Sequence, residues 1–275
     1  KEVLVDAFHS SGMNFYMFFG GTNYGFWPGR LVQTSYDYGA PINESGHTTP
    51  MYQALQPIFA AMLPKSQQRQ PDLLRRESGA LPYVPPVRSF GTAQLTKSAS
   101  LQNLSTLNAL SGNDGPWDTS SSPHPMEYYG QSFGAIAYRV PIHDDIIELN
   151  INGVPSDNVA ISYDGVYQAT LAAFPTPPPG TNSSIFRKKA TVGVATLIVT
   201  SNGRTNIWHL GDHSQMFKGL LQRISVTTAA GETKEVGAYE AYTLPLTGES
   251  VEGLPFQPFT STSVLPQLPA LLQGS

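Results

Sequence analysis

The chain has 275 residues, 13% of them charged, and a formal net charge of -4, enough length for one large or two ordinary domains with a real core. That balance provides no electrostatic footprint for nucleic acid or for an anionic membrane surface, so the expected ligand is neutral or weakly charged. With no cysteine, disulfides, Cys-based zinc sites and thiol nucleophiles are excluded together, while the redox compartment stays open.

No stretch approaches the roughly 18 to 20 apolar residues that a membrane-spanning helix needs. The first residues, KEVLVDAFHSSG, have no initiator Met and lack the charged leader and cleavage site of a signal peptide. They read as a start within something longer. Val3, Leu4, Ala7 and Phe8 fall at helical spacing before Gly12, which predicts the end of an amphipathic helix over Glu2 to Ser10. Met13 to Phe19 follows as an apolar and aromatic run closed by Gly20-Gly21. Such a run has no solvent face, and reads as a buried strand of a parallel sheet feeding a loop at its C-terminal end, where ligands bind. In that strand Asn14, Tyr16 and Phe18 would share one face, and Phe15, Met17 and Phe19 the other. Thr49-Pro50 then gives an N-cap and a first-turn proline for a helix over Met51 to Leu63, with Met51, Leu55, Ile58, Phe59 and Met62 as its apolar positions and Pro64 ending it.

Residues 65–85 turn polar and proline-rich and read as a linker. Beyond it, short β-rich runs recur between Gly, Pro and Asn clusters: Gly134 to Val140, Ile146 to Ile151, Val159 to Tyr163, Tyr167 to Ala172, Thr191 to Ser201, Gln222 to Thr228 and Ala241 to Pro245. That spacing predicts an antiparallel β-sandwich over residues 86–245. Residues 246–275 read as a Pro- and Leu-rich tail or the beginning of a connection.

Several motifs fail on chemistry. Gly20 to Gly25 has neither the Lys-Ser/Thr ending of a P-loop nor dinucleotide glycine spacing. His209 and His213 are four apart, but the Glu of a helical zinc motif is missing, so surface loop histidines are the better reading. His143-Asp144-Asp145 reads as a solvated turn, and no G-x-S-x-G elbow supports a serine triad. The best chemistry lies in TSYDYGAPINESG, where an extended backbone would put Tyr36 and Tyr38 on one side and Asp37 on the other. Tyrosine offers a ring face for the C–H side of a sugar and a hydroxyl for its polar rim; the bland alternative is partly buried core tyrosines. Asp37 and Glu44 are the carboxylates at hand for an acid and nucleophile pair, which a retaining glycosidase holds about 5 to 5.5 Å apart.

The stretch NFYMFFGGTNYGFWPG, followed by QTSYDYGAPINESG, resembles the signature of glycoside hydrolase family 35 β-galactosidases, N-x-YMF-x-GGTNFG and then TSYDYDAPLSEAG. The likeness is dense over residues 1–64. It thins afterwards to YYGQSFGAIAYRV, Val159 to Gly165, Asn202 to Asn206 and Phe217 to Gly219, which are similar to elements of the first sandwich in the lysosomal, animal-like branch. The resemblance implies an α/β plus all-β chain: residues 1–64 as the last strand and helices of a TIM (β/α)8 barrel, then a jelly-roll-like antiparallel β-sandwich. It implies retaining hydrolysis of terminal β-galactosides without a cofactor or metal. Both catalytic Glu residues would lie upstream of Lys1, on the missing N-terminal part of the same barrel, so the chain alone is expected to be inactive. Asp37 and Glu44 would then be loop support, and Tyr16, Tyr36 and Tyr38 would line the galactose pocket. Gly39 replaces the Asp of the animal pattern, and the loop from Trp27 to Tyr36 is shorter.

A non-catalytic galactose-binding or interaction protein of the same descent is the alternative, and a structural sandwich without ligand a third. Sequons at Asn43, Asn103 and Asn182 favour a secreted, lysosomal or vacuolar glycoprotein. Torn from a closed barrel, residues 1–64 would expose unpaired edges and aggregate, while residues 86–245 could fold alone.

Overall fold

A computed structural model describes residues 16–24, 35–62, 86–152, 157–171, 183–190, 192–204, 216–259 and 269–274. They form two compact units that divide after Gly91. The predicted helix over Glu2 to Ser10, the linker at 65–85 and the pair His209 and His213 lie outside these residues.

In the first unit the predicted helix is present as α1, Pro50–Met62, with Leu55 and Ile58 buried. Proline at its first position gives up no helical hydrogen bond. The Thr49 hydroxyl donates to the Pro41 carbonyl at 2.9 Å, so it ties the incoming loop to the start of the helix. Residues 16–19 differ from the buried strand read from the sequence. Phe19 makes a single parallel bridge to Ile42, and Tyr16, Phe18 and Phe19 are 68%, 45% and 45% exposed. A strand is buried only when neighbours cover it, and among the described residues Ile42 is what pairs with it.

The second unit is a β-sandwich built on two sheets. The six-stranded sheet has the order β2-β11-β3-β8-β5-β6, and the four-stranded sheet has the order β10-β9-β4-β7. The first comprises β2 (Asp118–Ser120), β3 (Ala135–Ile142), β5 (Asn158–Tyr163), β6 (Val166–Leu171), β8 (Gly193–Thr200) and β11 (Tyr239–Leu244). The second comprises β4 (Ile146–Ile151), β7 (Ser183–Ala190), β9 (Ile224–Thr228) and β10 (Thr233–Glu235). All pairings are antiparallel.

Alternation builds the main core. Val159, Ile161 and Tyr163 from β5 and Ala195, Leu197 and Val199 from β8 join Ile146, Leu149 and Ile151 from β4 and Ile224 and Val226 from β9. Strand β3, like its neighbours β8 and β11, is covered on both sides: its residues Ala135 to Tyr138 are buried on both faces. Its other face meets a second core that includes Leu107 and Leu110 of helix α2 (Leu104–Ser111), Leu254, and Ala99 and Leu101. Asp164 and Gly165 both have positive φ, 46° and 77°, the geometry of a two-residue hairpin turn between β5 and β6. A further sheet, in the order β12-β1-β13, joins β1 (Leu95–Ser100) to β12 (Gln257–Pro258) and β13 (Ala270–Gly274), after the short helix α3 (Gly248–Glu252). Within 246–274, read as a tail from the sequence, the described chain returns to pair with β1.

Candidate functional site

Tyr16, Tyr36 and Tyr38 converge in the first unit. The Tyr16 hydroxyl donates to the Tyr36 hydroxyl at 2.8 Å. The Tyr16 and Tyr36 rings stand edge to face with centroids 6.0 Å apart; Tyr36 and Tyr38 do so at 4.7 Å, and Tyr38 lies 6.3 Å from Tyr16. Tyr38 is 65% exposed and Tyr36 half-buried. This is an open, neutral, aromatic surface rimmed by phenols.

The backbone explains why these rings meet. A Cβ on Gly20 would lie 2.4 Å from the backbone N and Cα of Asp37, so only glycine lets the two segments run this close. The Ser35 hydroxyl donates to the Gly21 carbonyl at 2.7 Å, which holds them together one residue further on. Tyr38 then takes a left-handed φ of 46° and Gly39 one of 75°. The convergence of Tyr36 and Tyr38 is therefore made by a turn and not by the extended alternation expected from the sequence. Asp37 Oδ1 accepts from the Gly39 amide at 3.2 Å, an Asx turn that stabilises that bend.

Hydrogen bonding to Tyr16 is the largest cause that raises the Tyr36 phenol above its ordinary value. The hydrogen bond with Tyr36 does the same for Tyr38. Both act at neutral pH as protonated donors and acceptors, suited to sugar hydroxyls and unsuited to proton abstraction.

Asp37 is engaged in its own turn, and Glu44 lies exposed in the loop that Asn43 closes with His47. His143 is exposed beside Asp144, which pairs with Lys234 at 3.5 Å, a surface turn as read from the sequence. Among the described residues no group of three His, Asp or Glu side chains is placed to hold a metal ion, and no helix is long and apolar enough to cross a membrane.

Sequence reasoning missed the chemistry of a buried polar constellation in the sandwich. Lys218 Nζ and Asp157 Oδ1 form an ion pair at 3.3 Å with both side chains fully buried. Asp157 also accepts from the amides of Asn202 at 2.9 Å and Gly219 at 3.2 Å. Beside it Glu127 accepts from the Lys218 amide at 3.1 Å and pairs with Arg204, whose guanidinium also donates to the carbonyls of Met216 and Ser132. Every charge is answered, so this is a structural clamp between the 3-10 helix Met126–Tyr129 and the segment before β9. The signal in the sequence was a lysine between Phe217 and Gly219 in an otherwise apolar run. Its aspartate partner is 61 positions away, beyond any local pattern.

The three tyrosine rings stand in a glycine-paired loop, and comparison with known families matches the same stretch of the chain. Residues 2–62, which contain all three tyrosines, match the family model described as Glycosyl hydrolases family 35. Among individual proteins, the chain is 28% identical to the β-galactosidase of Felis catus over 233 residues, 79% of this chain and 30% of that one. Against the β-galactosidase of Homo sapiens it is 28% identical over 232 residues, again 79% and 30%. Against that of Xanthomonas manihotis it is 34% identical over 157 residues, 51% of this chain and 22% of the relative. The resemblance is thus to family 35 β-galactosidases of the animal-like branch, and the chain spans about 30% of the length of these animal relatives.

Proposed function

We propose that this chain is the C-terminal part of a retaining β-galactosidase that removes terminal β-D-galactose from glycosides. The observation that carries the reading is the convergence of Tyr16, Tyr36 and Tyr38 inside the family-matched stretch. In this reading residues 1–64 close a TIM barrel, and the sandwich follows a linker at 65–85. The two catalytic glutamates come from barrel strands upstream of Lys1. Two observations support that division of labour: the engagement of Asp37 in its own turn, and the 30% coverage of the animal relatives.

Each tyrosine then has a distinct task. The exposed ring of Tyr38 offers a face to the C–H side of galactose. Tyr16 and Tyr36, already linked, orient a hydroxyl of the sugar or hold the nucleophilic carboxylate by a hydrogen bond that favours its ionised form. The site needs no metal or cofactor, since a glycosidase works with two carboxyl groups. Passage through the secretory route to a lysosome, a vacuole or the exterior fits the animal β-galactosidases and the sequons.

Turnover of a chromogenic β-galactoside tests this directly. Lys1–Ser275 alone is expected to show none, and the longer protein that contains it is expected to hydrolyse the substrate. Activity of the isolated chain that depends on Asp37 or Glu44 would overturn the proposal. Saturable binding of galactose by the isolated chain, without turnover, would point instead to a dedicated galactose-binding protein.

A further inference from the structure

We propose that Asn103 carries an asparagine-linked glycan and that Asn43, in the other described sequon, stays bare. The inference rests on the secretory reading above and deepens it to a particular residue. Asn103-Leu104-Ser105 is a complete acceptor sequence, with a hydroxyl two residues on, and Asn103 and Ser105 are both exposed.

Asn103 is the N-cap of α2, with extended φ and ψ of -85° and 128°. Its main chain is fully used. The amide donates to the Ser100 carbonyl at 3.2 Å, and its own carbonyl accepts from Thr106 and Leu107 at 3.1 and 3.0 Å. Asparagine at this position ordinarily accepts a helix amide with its side chain. Here the side chain makes no capping bond, so a substituent on its nitrogen breaks nothing in the folded state. The neighbouring apolar side chain, Leu104, is 45% exposed and leaves the site open.

Asn43 is the contrasting case. It is half-buried, and its Oδ1 accepts from the His47 amide at 2.9 Å. Its own amide donates to the His47 carbonyl at 2.9 Å, and its carbonyl accepts from Gly46 at 2.9 Å. A large substituent there would have to be housed in a turn that is flanked on both sides by the bridges of Ile42 to Phe19 and Thr48. Asn182 lies outside the described residues.

The step uses a lipid-linked oligosaccharide pyrophosphate as donor and the host's oligosaccharyl transferase. The Asn103 side-chain nitrogen forms a bond to the anomeric carbon and loses one proton. The bond from that carbon to the lipid pyrophosphate breaks, the pyrophosphate leaves, and nothing is oxidised or reduced.

The test is peptide mapping of the full-length protein secreted from insect cells, after enzymatic release of glycans in 18O-labelled water. The label is expected as aspartate at position 103 in most molecules and not at position 43. Asn103→Gln should abolish the label in that peptide without lowering secretion more than about twofold, because no folded-state bond is lost. An unmodified Asn103 peptide from correctly folded, secreted protein would overturn the proposal, as would label at Asn43 with Asn103 bare. The same map of protein purified from its source organism separates the two readings. Asn103 occupied in insect cells but bare in the source sinks the secretory reading and keeps the site, whereas bare in both sinks the site.

Discussion

Gly20 and Asp157 are separate points at which a single atom decides the local structure. A methyl group at Gly20 would meet the Asp37 backbone at 2.4 Å, and backbone cannot swing aside as a flexible side chain would. In the longer protein proposed above, Gly20→Ala should displace the Tyr36 segment from Tyr16 and lower kcat/KM on a β-galactoside by about 10- to 100-fold, since misplacing a site by about 1 Å costs on that order. Tyr36→Phe removes one hydroxyl and leaves the ring. Its expected cost is about tenfold in kcat/KM with an unchanged melting temperature, the pattern of a lost positioning hydrogen bond. Asp37→Ala should cost far less activity than either, because its carboxylate serves the Gly39 amide; a loss beyond about 1000-fold would make Asp37 catalytic after all. In the sandwich, Asp157→Ala leaves the buried Lys218 ammonium and two backbone amides unanswered, and should cost about 3 to 5 kcal/mol in urea denaturation. Replacing Lys218 by an apolar residue as well should restore only part of that loss, because the buried charge is then gone while the Asn202 and Gly219 amides stay unpaired.

At the scale of elements, buried tyrosines tie strands to loops and set an alkaline limit. Tyr138 in β3 donates to the His124 carbonyl at 2.6 Å and accepts from the Leu220 amide at 3.2 Å; burial raises its phenol far above the ordinary value. Burial does the same to Tyr129, helped by Asp118, and raises Tyr163 to about 12. For a phenol raised in the folded state, the unfolded chain loses its proton first, so stability is complete below the unfolded value near 10 and falls as pH climbs from there to the folded value. The urea midpoint of the sandwich should therefore be flat with respect to these groups up to about pH 10 and drop above it, and Tyr163→Phe should reduce the slope between pH 10 and 12. The strands of this sandwich were largely legible: β4 runs Ile146–Ile151 as its alternation predicts, and β5, β6, β8 and β11 lie within one or two residues of expectation at most ends. Strand β7, Ser183–Ala190, was not, because SSIFRKKA has no clean apolar alternation and its place is set by pairing with β4. Helix α2 was missed for a similar reason: Leu104 to Ser111 is short and rich in Ser, Thr and Asn, residues with weak helix preference, and its helicity is secured by burying Leu107 and Leu110.

At the scale of the molecule, the second unit draws its second core from both ends of its sequence. Ala99 and Leu101 near its start meet Leu254, and Leu271 of β13 packs against the same cluster. Residues 92–275 are expected to unfold cooperatively as one unit. A fragment ending at Pro245 should be less stable by about 2 to 5 kcal/mol, the cost of stripping large apolar groups from a core; guanidinium titration of the two fragments measures the difference. Equal midpoints would mean that the segment after Pro245 is peripheral.

Composition, period and motif were sufficient for the β-sandwich class, the helix after Thr49-Pro50 and the likeness to family 35, because alternation, N-caps and glycine pairs are local properties of the chain. The tertiary structure alone decided three things. It brought the tyrosines into contact through a left-handed turn, where the sequence offered extended alternation. It joined Lys218 to an aspartate 61 residues away, and it folded the segment after Pro245 back onto β1. Each of these depends on which distant surfaces come together, and a pattern read along the chain carries no such information.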